Sequence, residues 1–160
     1  MSIEKIRTYP DPVLRKKTVK VKNPLDHQVQ SLIASLLETM RKTENGIGLA
    51  APQIGSDLRV CVIELDDKNY VFINPTISAK SKEKIITEEG CLSFPGKYYP
   101  ISRSEEVKVR YLDQEGKNIK LKASGMLSRA IQHEVDHLNG ILMIDRIKKI
   151  KIKNKKNGKK

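Results

Sequence analysis

The stretch Gln132–Gly140, QHEVDHLNG, constrains this chain more than any other. It holds His133, Glu134 and His137 in the spacing H-E-x-x-H. On an α-helix, residues four apart share a face, one turn above the other. Both imidazoles then reach one metal ion. Glu134 stands beside that ion rather than on it, where its carboxylate can take a proton from a water that the ion acidifies. A five-residue pattern can arise by chance, and its bland reading is a solvated helix face with two incidental histidines. Against that, the chain has three histidines and two of them fall here. Two imidazoles and a water leave a four-coordinate site one ligand short, so the rest of the chain is read for a third.

The two cysteines differ in their surroundings. Cys61 lies in the apolar run RVCVIEL and reads as a small buried hydrophobe. Cys91 lies in EEGCLSFPG, between a glycine and a turn-rich stretch, and is the better candidate for chemistry. As third ligand it makes a Cys-His-His set with one position open, as a catalytic metal site requires. A structural site would want a fourth protein ligand. The remaining histidine, His27, falls at the start of a distant helix and reads as a surface residue. Gly90 fits a crowded backbone around a ligand, and the N–H of Leu92 is placed to donate to a developing oxyanion.

Gly46–Gly55, GIGLAAPQIG, is a short run of small and apolar residues that lets the backbone approach a ligand closely. It lacks the G-K-S/T of a phosphate loop and no strand precedes it. Gln53 is the polar side chain in the middle of the run. It reads equally as a structural hydrogen-bonder or as a donor aimed at a substrate.

The 160 residues suit one domain with a sizeable core, and 38% hydrophobic with 31% charged residues is a soluble globular balance. No stretch approaches a transmembrane span. The opening MSIEKIRTYPDPVL has no apolar run behind a basic start, so the expected location is the cytoplasm. The net charge of +12 is uneven: Lys148–Lys160 carries eight lysines and no acid, and without them about +4 remains. The basicity thus belongs to a tail rather than to a nucleic-acid-binding face.

Residues 1–24 read as irregular, with Tyr9-Pro10-Asp11-Pro12 a turn and Val13 and Leu14 anchoring it. The spacing of Leu25, Val29, Leu32, Ile33, Leu36, Leu37 and Met40 predicts an amphipathic helix from Pro24 to about Thr43, capped by Asn23 or Asp26 and stopped at Asn45-Gly46. Arg59–Leu65 and Tyr70–Ile73 predict a hairpin around Asp66–Asn69, closed by Asn74-Pro75. Thr76–Thr87 reads as a lysine-protected edge strand. Val107–Leu112 and Asn118–Leu121 predict a second hairpin around Gln114-Glu115-Gly116. The HExxH helix starts at Ser124-Gly125, puts Met126, Ala130, His133 and His137 on one face, and stops at Asn139-Gly140. Ile141–Ile144 reads as a short strand or a helix extension. The fold class expected is α+β, with antiparallel sheets packed around the HExxH helix and one earlier amphipathic helix.

Three blocks stand in order: GIGLAAPQ (Gly46–Gln53), EGCLS (Glu89–Ser93) and QHEVDHLNG (Gln132–Gly140). Together they resemble bacterial peptide deformylase, and the resemblance extends from the early YPDPVL to the late GILMIDRI. It implies a catalytic domain over residues 1–147; the lysine run over 148–160 lies outside the match in detail and reads by composition as a basic, flexible tail. The resemblance implies a metal-dependent hydrolase that removes the formyl group from the N-terminal formylmethionine of new polypeptides and releases formate. By motif, Cys91, His133 and His137 would hold one divalent ion, Fe(II) natively, with Zn, Ni or Co tolerated. Glu134 would move the proton, and Gln53 with the Leu92 N–H would bind the formyl oxygen. Ile47, Gly48, Glu89, Gly90, Met126, Arg129 and Ala130 would bind substrate, whose backbone would lie extended between Ile47 and Gly90 as an added strand. Arg103 would pair with Glu89. Arg129 would pack its stem and send its charge to solvent. The expected partners are formylmethionyl nascent chains, with a ribosome contact through the lysine tail, no membrane and no sequence-specific nucleic acid. Two rivals are a zincin-like metallopeptidase, whose third ligand would follow His137, and a non-enzymatic, metal-stabilised ribosome- or RNA-binding module.

Overall fold

The computed structural model describes residues 3–44 and 46–147. The tail Lys148–Lys160 and the expected helix stop at Asn45 lie outside the described residues. Among the described residues, no helix is long and apolar enough to cross a membrane.

Helix α1 runs His27–Arg41. Of the two candidate caps, Asp26 takes the position: its carboxylate accepts from the Gln28 N–H at 2.8 Å. Asn23 instead accepts from Leu25 N and shapes the turn before the helix. Pro24 and Leu25 therefore stay outside it, and the helix starts three residues later than the apolar spacing predicts. Val29, Ile33, Leu36 and Met40 form its buried stripe. The N-terminal stretch is not wholly irregular: Pro12–Arg15 forms a 3-10 turn capped by Asp11, and Leu14 is buried as expected.

Five strands form one antiparallel sheet in the order β1-β2-β3-β6-β7: β1 (Gly48–Ala50), β2 (Val60–Leu65), β3 (Lys68–Lys80), β6 (Glu106–Leu112) and β7 (Asn118–Ser124). Its two faces follow the alternation of side chains along a strand. Val60, Val62, Val71 and Ile73 pack with α1, while Cys61, Ile63, Phe72, Val107 and Val109 pack with helix α2 (Gly125–Leu138). Cys61 is the buried small hydrophobe that its sequence context predicts. A second, two-stranded sheet pairs β4 (Lys84–Cys91) with β5 (Phe94–Ser104). The architecture is α+β with α2 between the large sheet and this hairpin, as expected.

Several strand assignments need correction. The first hairpin turns on Asp66 and Asp67 alone, both at positive φ (52° and 62°), and Lys68 and Asn69 already pair with Leu65 and Glu64. Asn74-Pro75 does not close a strand. Asn74 sits at φ 53°, in an irregularity where the register shifts between Ile73 and Thr76, and β3 continues to Lys80. The Asn74 amide holds this point by bridging Val21, accepting from its N–H at 2.8 Å and donating to its carbonyl at 2.9 Å. Thr76–Thr87 is not one edge strand, because a bend at Lys82 separates β3 from β4. Strand β5 was not predicted, since Pro95, Gly96 and Pro100 disguise it. A two-stranded sheet leaves each strand one unpaired edge, where a proline without an N–H removes no ladder bond.

Helix α2 follows Ser124 and ends at Asn139 and Gly140, as the sequence predicts. Gly140 has φ 73°, and a Cβ there would lie 2.5 Å from the Arg15 carbonyl oxygen, so both conformation and space demand glycine. Residues 141–144 form no strand; residues 143–147 make a short helical turn, with Leu142 and Met143 buried against Leu14, Phe94 and Ile101.

Candidate active site

His133, Glu134 and His137 lie buried on α2, with the two imidazole centroids 4.9 Å apart. Cys91 ends β4, where the register shifts after Gly90. Its Sγ lies 3.3 Å from His137 Nε2, and one donor atom each of Cys91, His133 and His137 all fall within 4.8 Å of one another. Donors about 2.0–2.3 Å from a common ion are spaced in this way. The three residues therefore form a site that could hold a metal ion. Burial opposes ionisation of the Cys91 thiol, but the His137 and His133 imidazoles outweigh it and pull the thiol well below its usual pKa. A thiolate is the form that ligates metals.

Behind His133 stands Glu89 of β4, whose Oε1 contacts the ring at Nδ1. A carboxylate there accepts from Nδ1–H and so turns the Nε2 edge of the ring towards the site. Glu89 is held in turn by Arg103 of β5, whose Nη2 donates to Oε1 at 2.7 Å and Nε to Oε2 at 3.1 Å. The Glu89–Arg103 pair expected from the sequence is present. Burial works against the Glu89 charge, yet His133 and Arg103 keep its pKa well below the usual carboxylate range.

Arg129 corrects an expectation. Its charge does not reach solvent: Nη1 donates to Glu89 Oε2 at 2.8 Å and to the Ile101 carbonyl at 3.0 Å, and Nη2 to the Ile85 carbonyl at 2.6 Å. The guanidinium is buried because β4 and β5 supply one carboxylate and two carbonyls for its fork.

The Glu134 side chain is buried on the wall of the site. Its Oε2 lies 4.0 Å from His133 Nε2, and Oε1 has no partner among the described residues. Burial raises its pKa above the ordinary carboxylate value, against the pull of both imidazoles. Gly48 makes room for it, since a Cβ on Gly48 would sit 2.5 Å from Glu134 Oε2. Gln53 is buried in a 3-10 turn, Ala51–Ile54. Its Oε1 accepts from Ala50 N at 2.9 Å, and its Nε2 donates to Ser93 Oγ at 3.0 Å and faces Cys91 Sγ at 3.7 Å. Ser93 was missed as a site residue. Its hydroxyl donates to the Arg7 carbonyl at 2.7 Å and so anchors the Gln53 amide. The signal available was its position two residues after Cys91 inside EGCLS.

A cavity of about 600 Å³ opens onto these groups. Every residue expected to bind substrate lines it: Ile47, Gly48, Glu89, Gly90, Met126, Arg129 and Ala130. Gln53, Cys91, Leu92, His133 and Glu134 line it as well. Met126 is 53% exposed and stands at the mouth. Tyr98 of β5, not singled out in the sequence, also lines the cavity and packs over Gly90, where a Cβ would lie 2.6 Å from its ring.

The family model for polypeptide deformylase matches residues 3–153. The peptide deformylase of Pseudothermotoga lettingae is 50% identical over 145 residues, covering 91% of this chain and 83% of the relative. That of Clostridium botulinum is 46% identical over 149 residues, covering 93% and 99%. Among solved structures, the peptide deformylase from Thermotoga maritima superposes with a TM-score of 0.88 at 40% identity, over 92% of this chain and 99% of that one. The Ehrlichia chaffeensis enzyme in complex with actinonin superposes with a TM-score of 0.89 at 36% identity over the whole of both chains. With the HExxH helix, the Cys-His-His cluster and the cavity in one place, this chain belongs to the polypeptide deformylase family, metal-dependent hydrolases that remove the N-formyl group from nascent peptides.

Proposed function

We propose that this deformylase holds one divalent ion on Cys91 Sγ and on the Nε2 atoms of His133 and His137, and that Glu134 is its proton-transfer residue. The donor set fits such an ion: the thiol is biased towards thiolate, the imidazoles converge on it, and Glu89 orients one of them. Fe(II) is the native ion in this reading, with Zn, Ni and Co suited to the same donor types. When bound, the ion supplies Lewis acidity that acidifies water and polarises the formyl carbonyl.

The chain's own residues do the rest. Glu134 takes the proton of the attacking water and returns it to the departing amine; a carboxylate whose pKa is raised by burial suits both directions. The Gln53 amide is pinned at both ends, by Ala50 N and by Ser93 Oγ, and its second N–H, which points to Cys91 Sγ at 3.7 Å, turns to donate to the formyl oxygen as that oxygen gains charge. The Leu92 N–H is the second donor. The methionine side chain of the substrate fills the cavity beside Ile47, Met126 and Ala130, and its backbone lies extended between Ile47 and Gly90. Residues 1–147 are the catalytic domain in this reading, and Lys148–Lys160 is a ribosome-contacting tail that brings the enzyme to emerging chains in the cytoplasm. Deleting that tail should weaken ribosome association in a salt-dependent way and leave turnover of a short free peptide unchanged. Equal ribosome binding by the truncated chain would end that part of the reading.

The observation that carries the mechanism is the buried Glu134 carboxylate, 4.0 Å from His133 Nε2 with one oxygen unpartnered among the described residues, on the wall of the cavity. The test is formate release from a formyl-Met-Ala-Ser peptide, with metal content measured on the same sample, for wild type and Glu134→Ala. One metal per chain in both, with a rate lower by about 10²–10⁴-fold in the variant, is expected. A fully metallated wild type that releases no formate overturns the substrate assignment. A variant that keeps its rate overturns the role of Glu134.

A further inference from the structure

We propose that Arg146, in the C-terminal helical turn, is a remote positioning residue for the metal site, acting on His133 through Asp136, Arg103 and Glu89. The inference rests on the ligand assignment made above and goes beyond it, because Arg146 touches neither the cavity nor any ligand.

The contacts are continuous. Arg146 donates from Nη2 to Asp136 Oδ1 at 2.7 Å and from Nε to Asp136 Oδ2 at 3.0 Å. Asp136 Oδ2 also accepts from Arg103 Nη1 at 2.6 Å. The other edge of the same guanidinium grips both oxygens of Glu89, and Glu89 holds the His133 ring at Nδ1. His133 and Asp136 sit three residues apart on α2, so the path closes into a ring. That ring ties α2 to the β4–β5 hairpin that delivers Cys91. Arg103, Glu89 and Asp136 are all buried.

Arg103 is therefore shared between two buried carboxylates, and its planar fork moves as one body. How it divides between them depends on the other cation each carboxylate has. Glu89 has Arg129, which is also committed to the Ile85 and Ile101 carbonyls. Asp136 has Arg146. Without Arg146, Arg103 is the one cation left hydrogen-bonded to Asp136 among the described residues, with Lys80 acting on it only through space, and Asp136 draws Arg103 off Glu89, which loosens the carboxylate that orients His133. Arg146 is the most accessible link, its side chain 22% accessible against 3% for Arg103. It is also the last charged residue before the lysine tail.

The experiment uses the full chain loaded with Co(II), whose visible absorption reports ligand geometry directly. Co(II) affinity, by competition with a chelating dye, and the spectrum are measured for wild type, Arg146→Met, Arg146→Lys and Arg15→Ala. Arg15 pairs with Asp145 and anchors the same turn without touching Asp136, so it controls for simple loosening of that turn. Direct partners of metal-bound histidines are worth roughly 10–100-fold in affinity. One step further out, Arg146→Met is expected to bind Co(II) about 10-fold more weakly with a shifted spectrum. Arg146→Lys should fall between it and wild type, and Arg15→Ala should match wild type. An unchanged affinity and spectrum in Arg146→Met overturns the proposal, as does an Arg15→Ala that behaves like it. If Arg146→Met does not fold, Arg146→Lys decides: a shifted spectrum supports the proposal and an unchanged one overturns it. A wild type that binds no Co(II), or a Cys91→Ser that binds it as tightly, overturns the ligand assignment itself.

Discussion

Gly48 and Arg129 show how single positions serve this site through atoms far away in the chain. Gly48 was expected to bind substrate, and it does line the cavity. Its tightest demand comes from behind, where a Cβ would meet the Glu134 carboxylate at 2.5 Å. Glu134 is buried, and its side chain is what must give way. Gly48→Ala should therefore displace the proposed proton-transfer carboxylate and lower turnover by about 10²-fold, the scale on which a displacement near 1 Å acts. Metal content should stay at the wild-type level, which a metal assay beside the kinetics would check. Arg129→Met makes the opposite case. It removes a buried partner of Glu89 and leaves the Ile85 and Ile101 carbonyls without their donor. Breaking a buried pair in this way costs about 3–5 kcal/mol, to be read from urea unfolding. The family resemblance could name Arg129 as a pocket residue by its position. It could not show that strands β4 and β5 hold the matching oxygens, 28 to 44 residues earlier.

At the level of elements, legibility followed period and punctuation. Helix α2 was readable because its ligand spacing and its Asn139-Gly140 stop agree. The β6–β7 hairpin was readable because VKVRYL alternates cleanly around a turn. Strand β5 was not, because prolines and a glycine look like loop signals when pairing is unknown. Strand β3 was cut short at Asn74-Pro75 for the same reason. The structure runs through that point because the Asn74 side chain supplies two bonds to Val21 in a left-handed backbone conformation. Asn74→Ala loses both bonds and keeps the unfavourable φ, so it should cost about 2 kcal/mol of unfolding free energy. Asn74→Gly loses the bonds but accepts the φ, and should cost less. A reversed order in urea midpoints would mean that the conformation at residue 74 is not what matters. At α1, Asp26→Ala should cost about 1 kcal/mol through loss of the cap on Gln28 N–H.

For the whole molecule, the site is a junction. Helix α2 brings two imidazoles from one side, and the β4–β5 hairpin brings the thiol from the other. An ion that binds this arrangement and not the unfolded chain must stabilise the fold, by about 4 kcal/mol when its free concentration is a thousand times its Kd. Removing metal with a chelator should lower the thermal midpoint, and re-addition should restore it. Cys91→Ser should blunt that response. A chelator-treated wild type that melts like the metallated protein would mean the two halves of the junction do not depend on the ion. The chain by itself determined the chemistry: which residue types are present, that two of three histidines share a helix face, that one cysteine stands among turn residues, and that three blocks come in a recognisable order. These are local facts, set by spacing of 3.6 or 2 residues and by side-chain identity. Only the tertiary structure decided the company those residues keep. Ser93 behind Gln53, the burial of Arg129, the crowding of Gly48 against Glu134 and the ring of Arg146, Asp136, Arg103 and Glu89 all join residues distant in the chain. Hydrogen bonds and ion pairs act over about 3 Å, and which distant residues come that close is settled only when the sheets and helices pack.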